Sequence, residues 1–273
     1  DTWLEKTEWL IKNSKNIKIL KNTTVTTYNF DNHLIAFEDK SVGKPPDNSK
    51  PELILHKIRT KHTVLANGHI ERFISFRNND LPGIMLAASF EKYIHKYGVV
   101  PDQNPIIFTN NSSTFSLVKS LLDLGHKPKA YVDARDQKKI EKETLKLLTK
   151  HNIPLYAKSE IEGCDGKNGV EKVSIRIKKN EIIKIKTSML CVSGGFNPDI
   201  HLFTQSKGLI KWDSSLFTFK PEKSFQNTIT LGSVSGNFSY EKLVDEINKK
   251  LSFLEGVNSL EPKLDINGSK KFQ

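Results

Sequence analysis

The pattern of apolar and polar positions in the first part of the chain predicts short strands joined by turns. Residues 3–13 have helical spacing and open the chain. Short apolar runs, each bounded by polar or turn-forming residues, follow at positions 17–20, 25–28, 34–37, 53–58 and 63–66. A polar segment at 29–32 separates two of these runs and predicts a hairpin turn.

From residue 84 onward the pattern changes to alternating strands and helices. Helical spacing runs over 84–97 up to Gly98, and a strand at 106–108, a helix at 112–124 and a strand at 130–132 form a predicted βαβ unit. The remaining predicted elements are a helix at 138–150, strands at 155–157, 173–177, 182–185, 189–192 and 229–231, and a helix at 240–251. This order is typical of a parallel sheet.

Two apolar strands end on small residues on either side of the βαβ unit. One reads Ala66-Asn67-Gly68, and the other reads Leu231-Gly232-Ser233. Small residues at strand ends let a backbone approach a phosphate or a flavin closely, although such glycines are most often ordinary turn residues. The layout predicts one nucleotide-binding domain with another inserted into it. The predicted boundaries are 1–83 and 191–256 for the first domain, 84–190 for the inserted domain and 257–273 for a polar tail.

Composition excludes several classes of protein. The chain has 273 residues and a formal net charge of +11, but only five arginines, so its dispersed lysines indicate a solvated surface and not a nucleic-acid site. Its apolar runs are shorter than the roughly 20 residues of a membrane span. Cys164 and Cys191 have no spacing typical of a disulfide framework or a metal site, which predicts a cytoplasmic protein. We expect Cys164 to be an exposed thiol and Cys191 a core residue.

Several motifs, in order along the chain, resemble the alpha subunit of heterotetrameric sarcosine oxidase. They occupy residues 64–72, 78–87, 97–99, 108–111, 132–135, 192–198 and 201–206. The resemblance covers residues 1 to about 255 and is to the middle region of that subunit, so the chain is expected to be a fragment. It implies an α/β fold with a thioredoxin-reductase-like pair of dinucleotide-binding domains, the second inserted into the first. The sequence contains no GxGxxG motif, so the amino-terminal βα unit of that fold is expected to be missing.

The resemblance also implies cofactors, partners and an activity. NAD would be held in the first domain, with its adenine near Thr24 and Val25, and the complete enzyme would carry FAD and FMN. Partners would be the beta, gamma and delta type subunits and a small-molecule substrate. The whole enzyme would oxidise sarcosine to glycine and pass the one-carbon unit to tetrahydrofolate, with its flavin chemistry on the beta subunit. We therefore expect no catalytic residue and no metal ligand in this chain.

The candidate cofactor-binding residues depart from the family pattern at two places. They are Thr24, Val25, Ala66, Asn67, Gly68, Gly232 and Ser233. Relatives read Ala-Thr-Gly where this chain has Ala66-Asn67-Gly68, and Gly-Asp where it has Gly232-Ser233. A serine offers a shorter, neutral hydroxyl in place of a carboxylate.

The inserted domain is expected to bind no nucleotide. Thr109, Asn111 and Thr114 stand where a dinucleotide fingerprint has glycines or other small residues, and side chains at the first two positions would obstruct the pyrophosphate. Asp133 and Arg135 are then predicted to form a surface ion pair or an interface contact.

Two other functions remain open from the sequence. One is a subunit of a related dehydrogenase that acts on an opine, proline or another secondary amine. The other is a non-catalytic nucleotide-binding scaffold.

Overall fold

The computed structural model describes residues 2–45, 49, 52–178 and 181–251. The predicted polar tail, 257–273, lies outside the described residues, as do residues 252–256. The chain divides into two compact units: unit 1 contains residues up to 69 and from 198 onward, and unit 2 contains residues 70–197. Unit 2 is therefore inserted into unit 1.

Regular structure accounts for most of both units. The helices are α1 (Thr2–Asn13), α2 (Ala87–Tyr97), α3 (Phe115–Asp123), α4 (Lys142–Lys150), α5 (His201–Gln205) and α6 (Tyr240–Leu251). The strands before and in the βαβ region are β1 (Thr23–Asn29), β2 (His33–Asp39), β3 (Leu53–Arg59), β4 (Thr63–Leu65), β5 (His69–Glu71), β6 (Ile84–Leu86), β7 (Ile106–Thr109), β8 (Ala130–Asp133) and β9 (Leu155–Ala157). The later strands are β10 (Glu160–Asp165), β11 (Lys172–Lys178), β12 (Glu181–Lys186), β13 (Leu190–Ser193), β14 (Phe196–Pro198), β15 (Leu209–Asp213), β16 (Thr218–Lys223) and β17 (Thr228–Thr230).

Unit 2 is built on a parallel sheet with strand order β6-β13-β7-β8-β9. Its central strands are buried along their whole length, which is typical of a parallel sheet covered on both faces. Successive side chains of a strand point to opposite faces. Ile107 accordingly packs with helical residues such as Phe90 and Leu121, whereas Phe108 packs with Ile175 of the antiparallel sheet β10-β11-β12.

Unit 1 contains an antiparallel sheet, β1-β2-β3, a parallel pair, β4 and β17, and a hairpin, β15-β16. Its core is formed by Tyr28, Leu34, Leu65 and Phe203. Tyr28 is completely buried, and its hydroxyl bonds to Thr228 at 2.6 Å. Because a buried phenol needs a polar partner, this bond fixes β1 relative to β17.

The strands and helices of the predicted βαβ unit are confirmed, as are the hairpin β1-β2 and helix α6. Residues 17–20 are not a strand, and Ile19 is 55% exposed. Residues 84–86 were predicted to begin a helix, but they form a strand that pairs with β13. The sequence could not distinguish the two, because a short apolar run fits either a helix or a strand. Among the described residues, no helix combines the length and the apolarity needed to cross a lipid bilayer.

The expectation for one cysteine is wrong. Cys164 is fully buried because it belongs to strand β10. The glycine and aspartate residues beside it made this segment look like a turn in the sequence. Burial raises the pKa of its thiol to about 11. Cys191 is a core residue, as predicted.

Helix α6 is attached to the end of β17 through one carboxylate, that of Glu246. Its oxygens accept hydrogen bonds from the Gly232 amide at 3.0 Å, from Ser235 Oγ at 2.7 Å and from Lys250 Nζ at 2.6 Å. Lys250 also donates to the carbonyl of Thr230, the last residue of β17. Burial alone would raise the pKa of Glu246, but these hydrogen bonds outweigh it and hold the pKa below its usual value.

We expect Glu246→Gln to reduce the free energy of unfolding by about 1–2 kcal/mol at pH 7, because charge-assisted hydrogen bonds are lost in a half-buried, partly screened site. A depressed carboxyl pKa contributes stability above the unfolded-state pKa, about 4.3, and this contribution is lost as the pH falls through the folded-state pKa. The difference in the free energy of unfolding between wild type and Glu246→Gln should therefore be smaller below about pH 4 than at pH 7. Urea unfolding at both pH values measures it.

Glu222→Gln is the matched control, because Glu222 pairs with Lys211 at 3.4 Å on an exposed surface. Its effect should stay below about 0.5 kcal/mol at every pH. Equal losses in the two variants would contradict a specific anchoring role for Glu246.

Candidate functional site

Strands β4 and β17 of unit 1 end side by side. They pair in parallel, with Thr63 opposite Thr228 and Leu65 opposite Thr230, and the Leu231 amide donates to the Leu65 carbonyl at 3.0 Å. Ala66-Asn67-Gly68 directly follows β4, and Gly232-Ser233 follows β17 after Leu231. The structure thus brings five of the seven predicted site residues to one carboxyl edge, the edge where open parallel sheets bind ligands.

Glycine is required in both of these strand-end loops. Gly68 has φ +91° and Gly232 has φ +73°, which are left-handed conformations that side chains disfavour. A Cβ on Gly68 would meet no heavy atom within 4 Å, so the space beside it is open. At Gly232 a Cβ would lie 3.4 Å from Leu243 of α6. Gly68 is therefore the more accessible of the two.

The loop after β4 is held by Asp199. Asn67 Nδ2 donates to the Asp199 carbonyl at 2.7 Å, and the Asp199 amide donates to the Gly68 carbonyl at 3.1 Å. The exposed Asn67 side chain thus serves to orient its own loop. The next residue, His69, packs edge to face on Phe238, with ring centroids 5.5 Å apart, and burial lowers its pKa.

Thr24 and Val25 lie on β1, in the antiparallel sheet. Val25 packs against the core cluster that includes Leu65, so it connects β1 to the strand that leads into the site. Thr24 is exposed and pairs across the sheet with Phe37. The structure thus places Val25 against the core cluster that contains the last residue of β4, while Thr24 offers a hydroxyl at the surface of the sheet.

Glu246 is a residue of this site that sequence reasoning missed. Its carboxylate accepts the hydrogen bond of the Gly232 amide, so that amide is not a free donor for a ligand. Gly232 contributes to the site only through its backbone conformation. Glu246, Ser235 and Lys250 also line a cavity of about 340 Å³ beside β17. The available signal was the four-residue spacing of Glu246 and Lys250, which places both on one helix face.

The corresponding edge of unit 2 is closed by its own side chains. Thr109 Oγ1 accepts from the Asn111 amide at 3.1 Å, and Asn111 Oδ1 accepts from the Ser113 amide at 2.9 Å. Asn111 Nδ2 donates to the Ser193 carbonyl at 3.0 Å, and Thr114 bonds to the Tyr131 hydroxyl inside the core. Two amides of the loop that leads into α3, those of Asn111 and Ser113, are thus already satisfied by side chains of the same loop.

Asp133 and Arg135 form the predicted ion pair, but it is not the surface pair that was one of the two expectations; the other, an interface contact, stays a prediction. The Asp133 side chain is completely buried, and that of Arg135 is 18% exposed. Arg135 Nη2 donates to Asp133 at 2.9 Å and Nε donates at 3.1 Å. Burial alone would lower the pKa of Arg135, but the bonds and charge of Asp133 raise it. The local sequence could not reveal this because burial results from the packing of β8.

No group of histidine, cysteine, aspartate or glutamate side chains among the described residues could hold a metal ion.

Comparison with known proteins identifies similar sequences and folds. No family model matches the chain. It is 32% identical over 226 residues to the sarcosine oxidase alpha subunit of Corynebacterium sp. strain U-96, covering 80% of this chain and 23% of that protein. It is 28% identical over 246 residues to the alpha subunit of strain P-1, covering 86% and 25% respectively. The chain therefore spans about a quarter of the length of these relatives.

Solved structures share the fold at low identity. L-Proline dehydrogenase from P. horikoshii matches with a TM-score of 0.60 and 19% identity, covering 91% of this chain and 45% of that one. Thioredoxin reductase from T. acidophilum matches with a TM-score of 0.52 and 15% identity, covering 68% and 62% respectively.

The predicted fold class is confirmed: the chain has a thioredoxin-reductase-like pair of α/β units, the second inserted into the first. The predicted resemblance is confirmed as well, and the chain is similar in sequence to alpha subunits of sarcosine oxidase.

Proposed function

We propose that this chain is the nucleotide-binding and subunit-docking region of a flavin-dependent oxidoreductase of the sarcosine oxidase type. The observation that carries the proposal is the similarity to three alpha subunits over 80–86% of the chain. Related folds are named as NAD-dependent and FAD-dependent oxidoreductases, which supports a dinucleotide cofactor in general terms. The name "subunit alpha" supports an assembly with beta, gamma and delta type subunits. Two buried, free cysteines support a cytoplasmic location.

We place NAD at the carboxyl edge of β4 and β17 in unit 1. Gly68 and the exposed Ala66 would let the backbone approach the cofactor. Gly68 has no Cβ, and no heavy atom lies within 4 Å of the place where one would stand. Asn67 would hold that loop, and Ser233 would offer a hydroxyl to a sugar. Thr24 and Val25 would lie on the adenine side. These residues fit the sugar and ring portions of a dinucleotide.

The pyrophosphate is the part of the cofactor that these residues fit least. The Gly232 amide already binds Glu246, and a carboxylate repels phosphate. NAD would supply a hydride-transfer group or a structural ligand. This chain's own residues would bind and orient it. The flavin chemistry is accordingly proposed for FAD and FMN elsewhere in the complete enzyme.

A related secondary-amine dehydrogenase is the second candidate. It is favoured by the match to L-proline dehydrogenase over 91% of the chain, although 19% identity supports the fold alone. We prefer sarcosine as the substrate because the sequence similarity is to sarcosine oxidases at 26–32% identity.

Gly68→Val in the complete protein should weaken NAD binding by more than tenfold. The branched side chain is strained at φ +91° and would fill the open space that the cofactor needs. Calorimetric titration with NAD measures the affinity.

Gly43→Val is the matched control. Gly43 belongs to unit 1 and has φ +73°, and a Cβ on it would likewise meet no heavy atom within 4 Å, so the strain added is comparable. Its NAD affinity should stay within about threefold of wild type. If both variants lose affinity equally, strain alone explains the loss and the proposed site is wrong.

The complete protein with its partner subunits should oxidise sarcosine in preference to other secondary amines. Under anaerobic conditions sarcosine should bleach the flavin absorbance, whereas proline and an opine should do so at least about a hundredfold more slowly, a difference of roughly 2.7 kcal/mol in barrier. Faster bleaching by proline would identify the dehydrogenase alternative. No bleaching by any amine would favour a scaffold.

A further inference from the structure

An aromatic pair, His69 and Phe238, lies at the carboxyl edge of β4 and β17 in unit 1. His69 comes directly after Gly68, in the segment that leaves β4, and Phe238 lies in the loop between β17 and α6. The two ring centroids are 5.5 Å apart, and the rings meet edge to face at an interplanar angle of 67°. The pair therefore joins the two strand-end loops that contain Gly68 and Gly232.

Hydrogen bonds hold both loops in place. In the loop after β17, the Asn237 amide donates to the Gly232 carbonyl at 3.1 Å, and Asn237 Nδ2 donates to Glu246 at 3.2 Å. Phe238 is the next residue along the chain. The loop after β4 is held by its bonds to Asp199. The rings are thus positioned before any ligand arrives, which lowers the entropic cost of binding one.

The two rings keep aromatic surface that their mutual contact does not cover. His69 is exposed, and Phe238 is half-buried. In an edge-to-face pair, the ring that offers its edge keeps both of its faces off its partner. Aromatic side chains are common in the walls of cofactor sites, and the carboxyl edge of parallel strands is where such sites lie. The pair is therefore suited to contact a planar ring of a ligand.

The charge state of the pair favours a cationic ring. Burial lowers the pKa of His69, so its imidazole is neutral at pH 7. The face of an aromatic ring carries partial negative charge and attracts a cation that lies over it. Of the two ring systems of NAD, only the oxidised nicotinamide is a cation, because its ring nitrogen carries the bond to the sugar.

The NAD site proposed for unit 1 leaves the nicotinamide as the ring for this pair. Thr24 and Val25 are assigned there to the adenine side. Ser233, which would offer its hydroxyl to a sugar, lies earlier in the same loop as Phe238.

We propose that His69 and Phe238 bind the nicotinamide ring of NAD and favour its oxidised, cationic form over a neutral one. This inference rests on the NAD site proposed for unit 1, and it names the residues of that site that contact the nicotinamide.

Calorimetric titration of the complete protein with three ligands tests this inference. NAD has the cationic ring, tetrahydro-NAD has a neutral ring that cannot donate a hydride, and ADP-ribose has no nicotinamide. NAD should bind at least about threefold more tightly than either of the others. Phe238→Leu keeps an apolar side chain but removes the ring, so it should weaken NAD binding by about threefold to thirtyfold and change ADP-ribose binding by less than about twofold. His69→Leu should act in the same direction.

Phe219→Leu is the matched control. Phe219 forms the same kind of edge-to-face pair with Trp212, at 5.2 Å, and both rings are exposed on the hairpin β15-β16 of unit 1. Its affinities for all three ligands should stay within about twofold of wild type.

The outcomes separate this inference from the proposed NAD site. Equal wild-type affinities for NAD, tetrahydro-NAD and ADP-ribose would overturn the inference and leave the NAD site standing. Equal weakening of NAD and ADP-ribose by Phe238→Leu would also overturn it, because the ring would then only support its loop. If the wild type binds neither NAD nor ADP-ribose, the NAD site and this inference are both wrong.

Discussion

Parallel pairing between strands that are distant in sequence is the constraint on which both units depend. In unit 2, β13 enters between β6 and β7 after the whole antiparallel sheet has been made. In unit 1, β17 pairs with β4 although all of unit 2 lies between them in sequence. Each parallel arrangement places strand ends from remote segments at one edge. The candidate site of unit 1 is a consequence of the second pairing, because Ala66-Asn67-Gly68 and Gly232-Ser233 lie just beyond the ends of β4 and β17.

The two carboxyl edges have the same origin but different chemistry. The edge of unit 1 presents glycines in left-handed conformations, with open space beside Gly68. The edge of unit 2 presents side chains where a dinucleotide site would need bare backbone, and they bond to one another through Asn111. The two edges of one general type of fold thus differ in their loops and not in their sheets.

Sequence reasoning predicted the elements with strong periodicity and failed where only tertiary contacts decide. Helix α6 and the strands of the βαβ region were predictable because their apolar spacing is regular. Strand β10 was not, since Gly163 and Asp165 suggest a turn, yet pairing with β11 makes it a strand and buries Cys164. The positions of Gly68 and Gly232 at strand ends could be predicted from the apolar runs that precede them in the sequence. The attachment of α6 to the end of β17 by Glu246 could not be predicted, and neither could the contact between His69 and Phe238. Both depend on contacts between segments that are not adjacent in sequence.

The nesting of unit 2 within unit 1 also sets the order in which the chain can acquire its structure during synthesis. All the strands of unit 2 have left the ribosome once residue 197 has emerged, so its sheet can close while the rest of the chain is still being made. Unit 1 cannot pair β4 until residues 228–230 follow. Strand β4 must therefore wait, with the apolar side chain of Leu65 lacking its place in the finished core, until β17 has been made. Slow translation between residues 198 and 230 would lengthen the period in which a chaperone could bind β4.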